Sequence, residues 1–237
     1  MGAMNKQVKS VVELLKVVAG YNDRTMFRGQ LKDWPLVPTI ARLRTVLGGF
    51  EDWHVFHDHV LERFRRYGRP HFTEKPLTEI EWLVHAQHHG LPTRLLDWTT
   101  NPLKALFFAV DDPQHERRDG VFWMLEPDGW WEQFTIENQP YWEENLAAFF
   151  PEHLNPRLIA QEGCFLSFPL PKRKRPIRPL RQGGGSYAVN SVSCFVIPST
   201  AKPTLRKELS LLGISHRSLF PTLDGIAKSI RIDPNGT

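Results

Sequence analysis

The chain has 237 residues, 41% of them apolar and 24% charged, with a net charge of +4. These values suit a globular protein in water and exclude a low-complexity or strongly acidic disordered chain. No apolar run reaches the roughly eighteen residues that a membrane-spanning helix needs. The two cysteines, Cys164 and Cys194, sit in strand-like surroundings and read as buried thiols of a cytoplasmic protein.

Met1 to Ala3 read as an expression scar ahead of Met4, and one domain is expected over residues 4–237. Val8, Val11, Val12, Leu15 and Val18 recur at helical spacing, with Gly20 as a stop. "TMFRGQ" reads as a short strand and "PTIARLRT" as a turn into a short helix. Glu51 to Tyr67 predicts a long amphipathic helix with Val55, His59 and Phe64 in its stripe. Thr78 to Gly90 predicts a third helix closed by Gly90.

A proline turn then leads into a short apolar segment, Leu95 to Thr99, and into "NPLKALFFAV". Asn101 is placed to cap that helix, and Pro102 occupies its first position. Strands are expected at Asp119 to Pro127, at Gly163 to Phe168 after a turn, and at "SVSCFVIP". "TAKPTLRKELSLLGI" and "FPTLDGIAKSIRI" make two closing helices. Helices and strands do not alternate regularly, so the fold class is α+β.

The sequence carries no GxGxxG or Walker loop, no GxSxG elbow and no HExxH helix. Glu81, His85 and His88 or His89 share a helix face, but no second cluster supplies further ligands, so no metal is expected. The Pro/Gly-rich stretch 171–186 holds six basic residues and no acidic one. It reads as a solvated loop or as a surface, Lys172 to Arg181, for a nucleic acid or an acidic protein.

Arg28 and Arg94 each stand beside a tight turn in apolar surroundings. A half-buried arginine needs a carboxylate or a phosphate as bidentate acceptor. Asp97 or Asp224 would serve Arg94 internally. For Arg28, the adjacent Gly29 permits a ligand to approach the backbone, which favours an anion site.

"FRG", "EWLVHAQHHGLPTRLLDWTTNPLKALFFAV" and "SLFPTLDGIAKSI" resemble the FRG domain family of bacteria and phages, over roughly Val11 to Ile230. Members of that family are for the most part uncharacterised. A weaker resemblance links the chain to arginine-type ADP-ribosyltransferases. There an aromatic-Arg-Gly strand is followed by a Ser/Thr strand with "A-x-x-F", and then by a Gln/Glu-x-Glu motif. "FRG", "DWTTNPLKALFFA" and "AQEGCF" are similar to these in order.

This second resemblance implies a small, mostly antiparallel split sheet flanked by helices, and NAD as substrate. Arg28 would bind the NAD phosphates or the nicotinamide ribose, and Thr99 and Thr100 would brace the nicotinamide pocket. Gly29, Arg94 and His89 complete the implied cofactor site. Glu162, with Gln161 beside it, would hold the ribose and stabilise the oxocarbenium-like transition state. If a strand carries them, Gln161 and Glu162 point to opposite faces and only one enters the pocket.

Three readings result. The first is an NAD-using enzyme that passes ADP-ribose to a macromolecule or water, an activity that would suit a toxin or a phage-defence effector. The second is a module that binds a nucleotide, nucleic acid or protein without chemistry. The third is a hydrolase that uses His88 or His89 with Asp97 or Glu81.

Overall fold

The computed structural model describes residues 6–43, 49–131, 145–152, 155–171, 173–183, 185 and 187–232. The helices are α1 (Val11–Val18), α2 (Trp53–Gly68), α3 (Glu79–His88), α4 (Pro102–Val110), α5 (Pro156–Gln161), α6 (Lys202–Leu211), α7 (His216–Leu219) and α8 (Leu223–Ile232). The strands are β1 (Met26–Gln30), β2 (Leu95–Thr99), β3 (Gly120–Glu126), β4 (Trp130–Trp131), β5 (Ala147–Phe149), β6 (Gly163–Ser167) and β7 (Ser191–Ile197). The class is therefore α+β, as the irregular order of elements predicts.

Among the described residues seven strands form one sheet in the order β4-β5-β6-β2-β1-β3-β7, antiparallel except between β4 and β5. Pairing is continuous on either side of the middle. Met26 to Gln30 run along Leu125 to Val121, and Leu95 to Thr99 along Ser167 to Gly163. Between β1 and β2 the ladder carries a single pair, Phe27 with Thr99. Beyond it the two central strands diverge.

Side-chain alternation sorts the core. Met26, Leu96, Trp98, Trp123, Leu125 and Leu166 face one way and pack under Trp53 and Phe56 of α2, Ile40 and Leu180. The other face is shared by two clusters. Phe27, Phe122, Met124, Phe195 and Ile197 pack against α1, α4 and α6. Leu95, Phe149 and Phe165 pack against Leu61, Ile80, Leu83 and Val84. The boundary between these clusters falls where β1 and β2 part.

Local chemistry explains the helix ends. Thr78 and Glu81 form a reciprocal capping box at α3, so the Glu81 carboxylate is engaged by the backbone there. The end of α3 is a Schellman turn. Gly90 has φ +80 and donates to Gln87 O, and Leu91 donates to Ala86 O. Asn101 caps α4 by accepting from Leu103 and Lys104 N–H, with Pro102 first in the helix.

Several elements differ from the sequence reading. Pro156 to Gln161 form a helix where a turn was expected, because Asn155 caps it and Pro156 opens it. The strands β4 and β5 and the short α7 were not anticipated. The first two have only 2 and 3 residues, too short for a period-two pattern. Residues 1–3, and Lys172, Gly184 and Ser186 of the basic loop, lie outside the described residues. Both cysteines are free thiols; Cys164 is buried and Cys194 half-buried. Among the described residues no helix is long and apolar enough to cross a membrane.

Strand β1 meets α4 at glycine distance. A Cβ on Gly29 would stand 1.8 Å from Ala105 O and 2.7 Å from Ala109 N, so the backbones themselves are in contact. Gly29→Ala is expected to cost about 3 kcal/mol in urea unfolding, because neither backbone atom can move without breaking the helix. An unchanged midpoint would contradict this packing.

Candidate functional site

The parting of β1 from β2 opens a cavity of about 330 Å³. Its wall includes Arg28, Gly29 and Gln30 from β1, Asp97 to Thr99 from β2, and Val84, Gln87 and His88 from α3. Arg157, Leu158 and Gln161 of α5 close one side, and Ala105 and Phe108 of α4 another. Trp34 and Arg42 complete the rim. The size lies at the low end of the roughly 300–1,000 Å³ typical of small-molecule sites.

Arg28 bridges the gap between the diverging strands by donating from an Nη to the Asp97 carbonyl oxygen. Its Nε has no partner. Burial lowers its pKa from the ordinary arginine value, Asp97 opposes that shift, and Arg42 adds to it. A second cation therefore stands close enough to be felt. Two neighbours on the wall share the same shortage of acceptors. Gln30 accepts from Trp123 Nε1 at 3.0 Å, but its own Nε2 is unpartnered, and so is Trp98 Nε1. An unmade buried hydrogen bond costs about 1–3 kcal/mol, and all three orphans here are donors.

Asp97 is the only carboxylate of the lining among the described residues. Its Oδ2 accepts from Gln87 Nε2 at 3.1 Å, and Gln87 Oε1 accepts from Thr93 Oγ1 at 2.5 Å. Thr93 in turn accepts from Leu95 N–H at 3.1 Å. This relay fixes the direction of the carboxylate. Against that one anion the lining places three arginines, Arg28, Arg42 and Arg157. Burial, followed by Arg157, holds the His88 pKa below the usual histidine value, so its imidazole is neutral at pH 7.

The sequence-based site residues divide into two groups. Arg28, Gly29, Thr99 and Gln161 meet at the cavity. Gly29 does so with its bare backbone packed on α4. Thr99 Oγ1 donates to Gln161 O at 2.7 Å and accepts from Asn101 N–H at 3.0 Å, pinning the end of α5 to β2.

Arg94, His89, Thr100 and Glu162 lie outside the lining. Arg94 is 2% exposed and donates from Nε to Ser167 Oγ at 3.1 Å. His89 caps α3 and lies beside the Phe64 ring. Thr100 N–H donates to Glu162 O at 3.2 Å. Glu162 ends α5 in the left-handed region, φ 47, and its Oε1 accepts from Lys104 Nζ at 2.7 Å and Asn101 Nδ2 at 3.2 Å. Strand alternation thus does not govern Gln161 and Glu162, because a helix end carries them.

Of the groups named for hydrolysis, His88 and Asp97 border the cavity, whereas His89 and Glu81 do not. No group of three or more His, Cys, Asp or Glu side chains could hold a metal among the described residues. Sequence reasoning missed Gln87, Arg42 and Arg157 as site residues. The alternation of "LDWT" does place Asp97 and Thr99 on one face, and Gln87 follows Val84 by three on a helix.

Residues 23–118 match the family model of the FRG domain. That span holds Arg28, Gln87, His88, Asp97 and Thr99; α5 and the closing helices lie beyond it. No curated protein and no solved structure matches the chain.

Because the folded-state pKa of His88 is depressed, the unfolded chain binds that proton more tightly. His88 therefore withdraws stability as pH falls through about 6.5. By NMR titration His88 is expected to protonate below the ordinary histidine value, with Arg157→Gln moving it up and Asp97→Asn moving it down. A normal pKa that ignores both substitutions would contradict the geometry.

Proposed function

The chain carries an FRG domain over residues 23–118, and from the cavity that this span and α5 line together we propose that the protein binds NAD or a closely related nucleotide and cleaves its nicotinamide–ribose bond. ADP-ribose then passes to a macromolecule or to water. The observation that carries the reading is the concentration of unpartnered donors, Arg28 Nε, Gln30 Nε2 and Trp98 Nε1, in one cavity wall with an excess of arginine. A phosphate-bearing ligand with carboxamide and hydroxyl acceptors satisfies such a wall.

In this reading Arg28 and Arg42 hold phosphate, and Phe108 and Trp34 border the ring. The bond from ribose C1′ to the nicotinamide nitrogen breaks with its electron pair leaving on nicotinamide. The positive charge that develops on the ribose needs a fixed anion. Asp97, oriented by Gln87, takes that role in place of Glu162, whose carboxylate is engaged by Lys104. His88, neutral at pH 7, accepts the proton of the incoming hydroxyl or water. The acceptor would approach over the rim, with the basic loop up to Arg181 available to an acidic protein.

A second reading, binding without turnover, is favoured by one observation: Glu162 is held by Lys104 and Asn101 outside the lining. Nicotinamide release and calorimetric NAD binding separate the two. Wild type is expected to release nicotinamide. Asp97→Asn should bind NAD but release nicotinamide about 100-fold more slowly. Arg28→Ala should bind about tenfold or more weakly. Saturable binding with no release leaves the binding module. Neither binding nor release removes both readings.

A further inference from the structure

The lining of the cavity divides between the two faces of the sheet. Alternation puts Arg28 and Gln30 on the face of Met26 and Trp98, and Asp97 and Thr99 on the face of Leu95. The cations divide in the same way. Arg42 acts on Arg28, Arg157 acts on His88, and Asp97 is felt by both Arg28 and His88. Asp97 therefore stands between two cationic poles. With phosphate at Arg28 and Arg42, the second pole, Arg157 beside His88, is left without an occupant.

Arg157 is half-buried, yet it makes no ion pair or hydrogen bond among the described residues. A ring holds it instead: its guanidinium carbon lies 4.9 Å from the centroid of Phe220. That ring is fixed in turn by His216, stacked at 4.4 Å, and by Phe108, edge-on at 6.1 Å. Gly225 of α8 closes on it so tightly that a Cβ there would collide with Phe220 O. His216 donates from Nδ1 to Gly225 O at 3.1 Å, and Gln161 Nε2 donates to Leu219 O at 3.1 Å, which ties α5 to α7 and α7 to α8. A ring face orients a guanidinium without using its five donors. The planar fork is thus set in place and left open for a phosphate or a carboxylate.

Among the reactants only the acceptor suits that fork. The NAD phosphates belong to the other pole. The nicotinamide ring is cationic until its bond breaks and neutral afterwards, so it offers a guanidinium nothing to bind. Water needs no guanidinium. We propose that Arg157 binds an oxyanion, phosphate or carboxylate, of an acceptor whose hydroxyl lies at His88, so that ADP-ribose passes to an anionic hydroxyl compound. This acceptor role rests on the NAD reading. In the transfer the hydroxyl oxygen forms the new bond to ribose C1′ and its proton passes to the His88 imidazole, while the C1′–nitrogen bond breaks with its electron pair on nicotinamide.

Two measurements on the full chain test this, with glycerol 3-phosphate and glycerate as probes and glycerol as the neutral control. The first is histidine NMR without NAD, at constant ionic strength. Burial and then Arg157 lower the His88 pKa; burial, Lys228 and, more weakly, Arg157 lower that of His216. An oxyanion on Arg157 offsets its charge, so a saturating probe is expected to raise both, the tighter probe naming the oxyanion. Glycerol should move neither. Arg157→Gln should bind the probe about tenfold or more weakly and abolish the rise, whereas Arg28→Gln should retain it. Arg157→Lys keeps the charge, so both histidines should titrate as in free wild type while probe affinity falls about threefold or more. In the second measurement NAD is added. The effective probe is expected to raise nicotinamide release about tenfold over glycerol at equal concentration, and to gain the mass of ADP-ribose. No histidine response, a response that survives Arg157→Gln, or release equal to that with glycerol would overturn the proposal. No release with any acceptor removes the NAD reading and the acceptor role together. The titration still decides whether Arg157 binds an oxyanion, so the two failures are distinguishable.

Discussion

Strand β1 is clamped from two directions, and the rest of the molecule is arranged around that clamp. On one edge it runs in continuous register with β3 from Met26 to Gln30. On one face it presses against α4 so closely that Gly29 has no room for a Cβ. Both contacts fix the strand, so it cannot follow β2 when β2 turns to stay with β6. The single pair Phe27–Thr99 is what remains between them. The cavity is the geometric consequence: a sheet whose halves follow different helical partners must open at the seam.

That seam also sets the electrostatics. Arg28 crosses it to reach the Asp97 carbonyl, and the Asp97 carboxylate is held on the other side by Gln87 and Thr93. The cavity therefore combines a desolvated cation, a fixed anion and a neutral imidazole within one partly closed space. Burying an arginine beside a second arginine is unfavourable unless an acceptor comes in, and the orphaned Arg28 Nε says the protein supplies too few. Pre-organised charge of this kind is what a site for a charged ligand requires.

Much of this was legible in the sequence where local chemistry decides the outcome. Asn101 caps α4 through its side chain and Gly90 stops α3 by its positive φ, both as their residue types predict. The apolar runs at β2, β3, β6 and β7 were readable as strands. What could not be read is which strand lies beside which, since β1 pairs with β3 and β2 with β6 across long separations. Glu162 shows the limit clearly. Its neighbour Gln161 reaches the cavity wall because α5 forms from a six-residue segment capped by Asn155, and a left-handed turn then carries Glu162 to Lys104. A strand-based reading of "AQEG" had no access to that turn. Gly29 is a similar case, since its purpose depends on Ala105 and Ala109, about eighty residues away.

The central claim is that the seam between β1 and β2 is a ligand site whose donors await acceptors. The most direct measurement is a crystal structure with an unreactive NAD analogue soaked at saturating concentration. The account predicts a phosphate or carboxamide of the analogue within hydrogen-bond distance of Arg28, with Gln30 Nε2 or Trp98 Nε1 acquiring a partner. An analogue bound elsewhere, or a cavity unchanged at saturation, would contradict it.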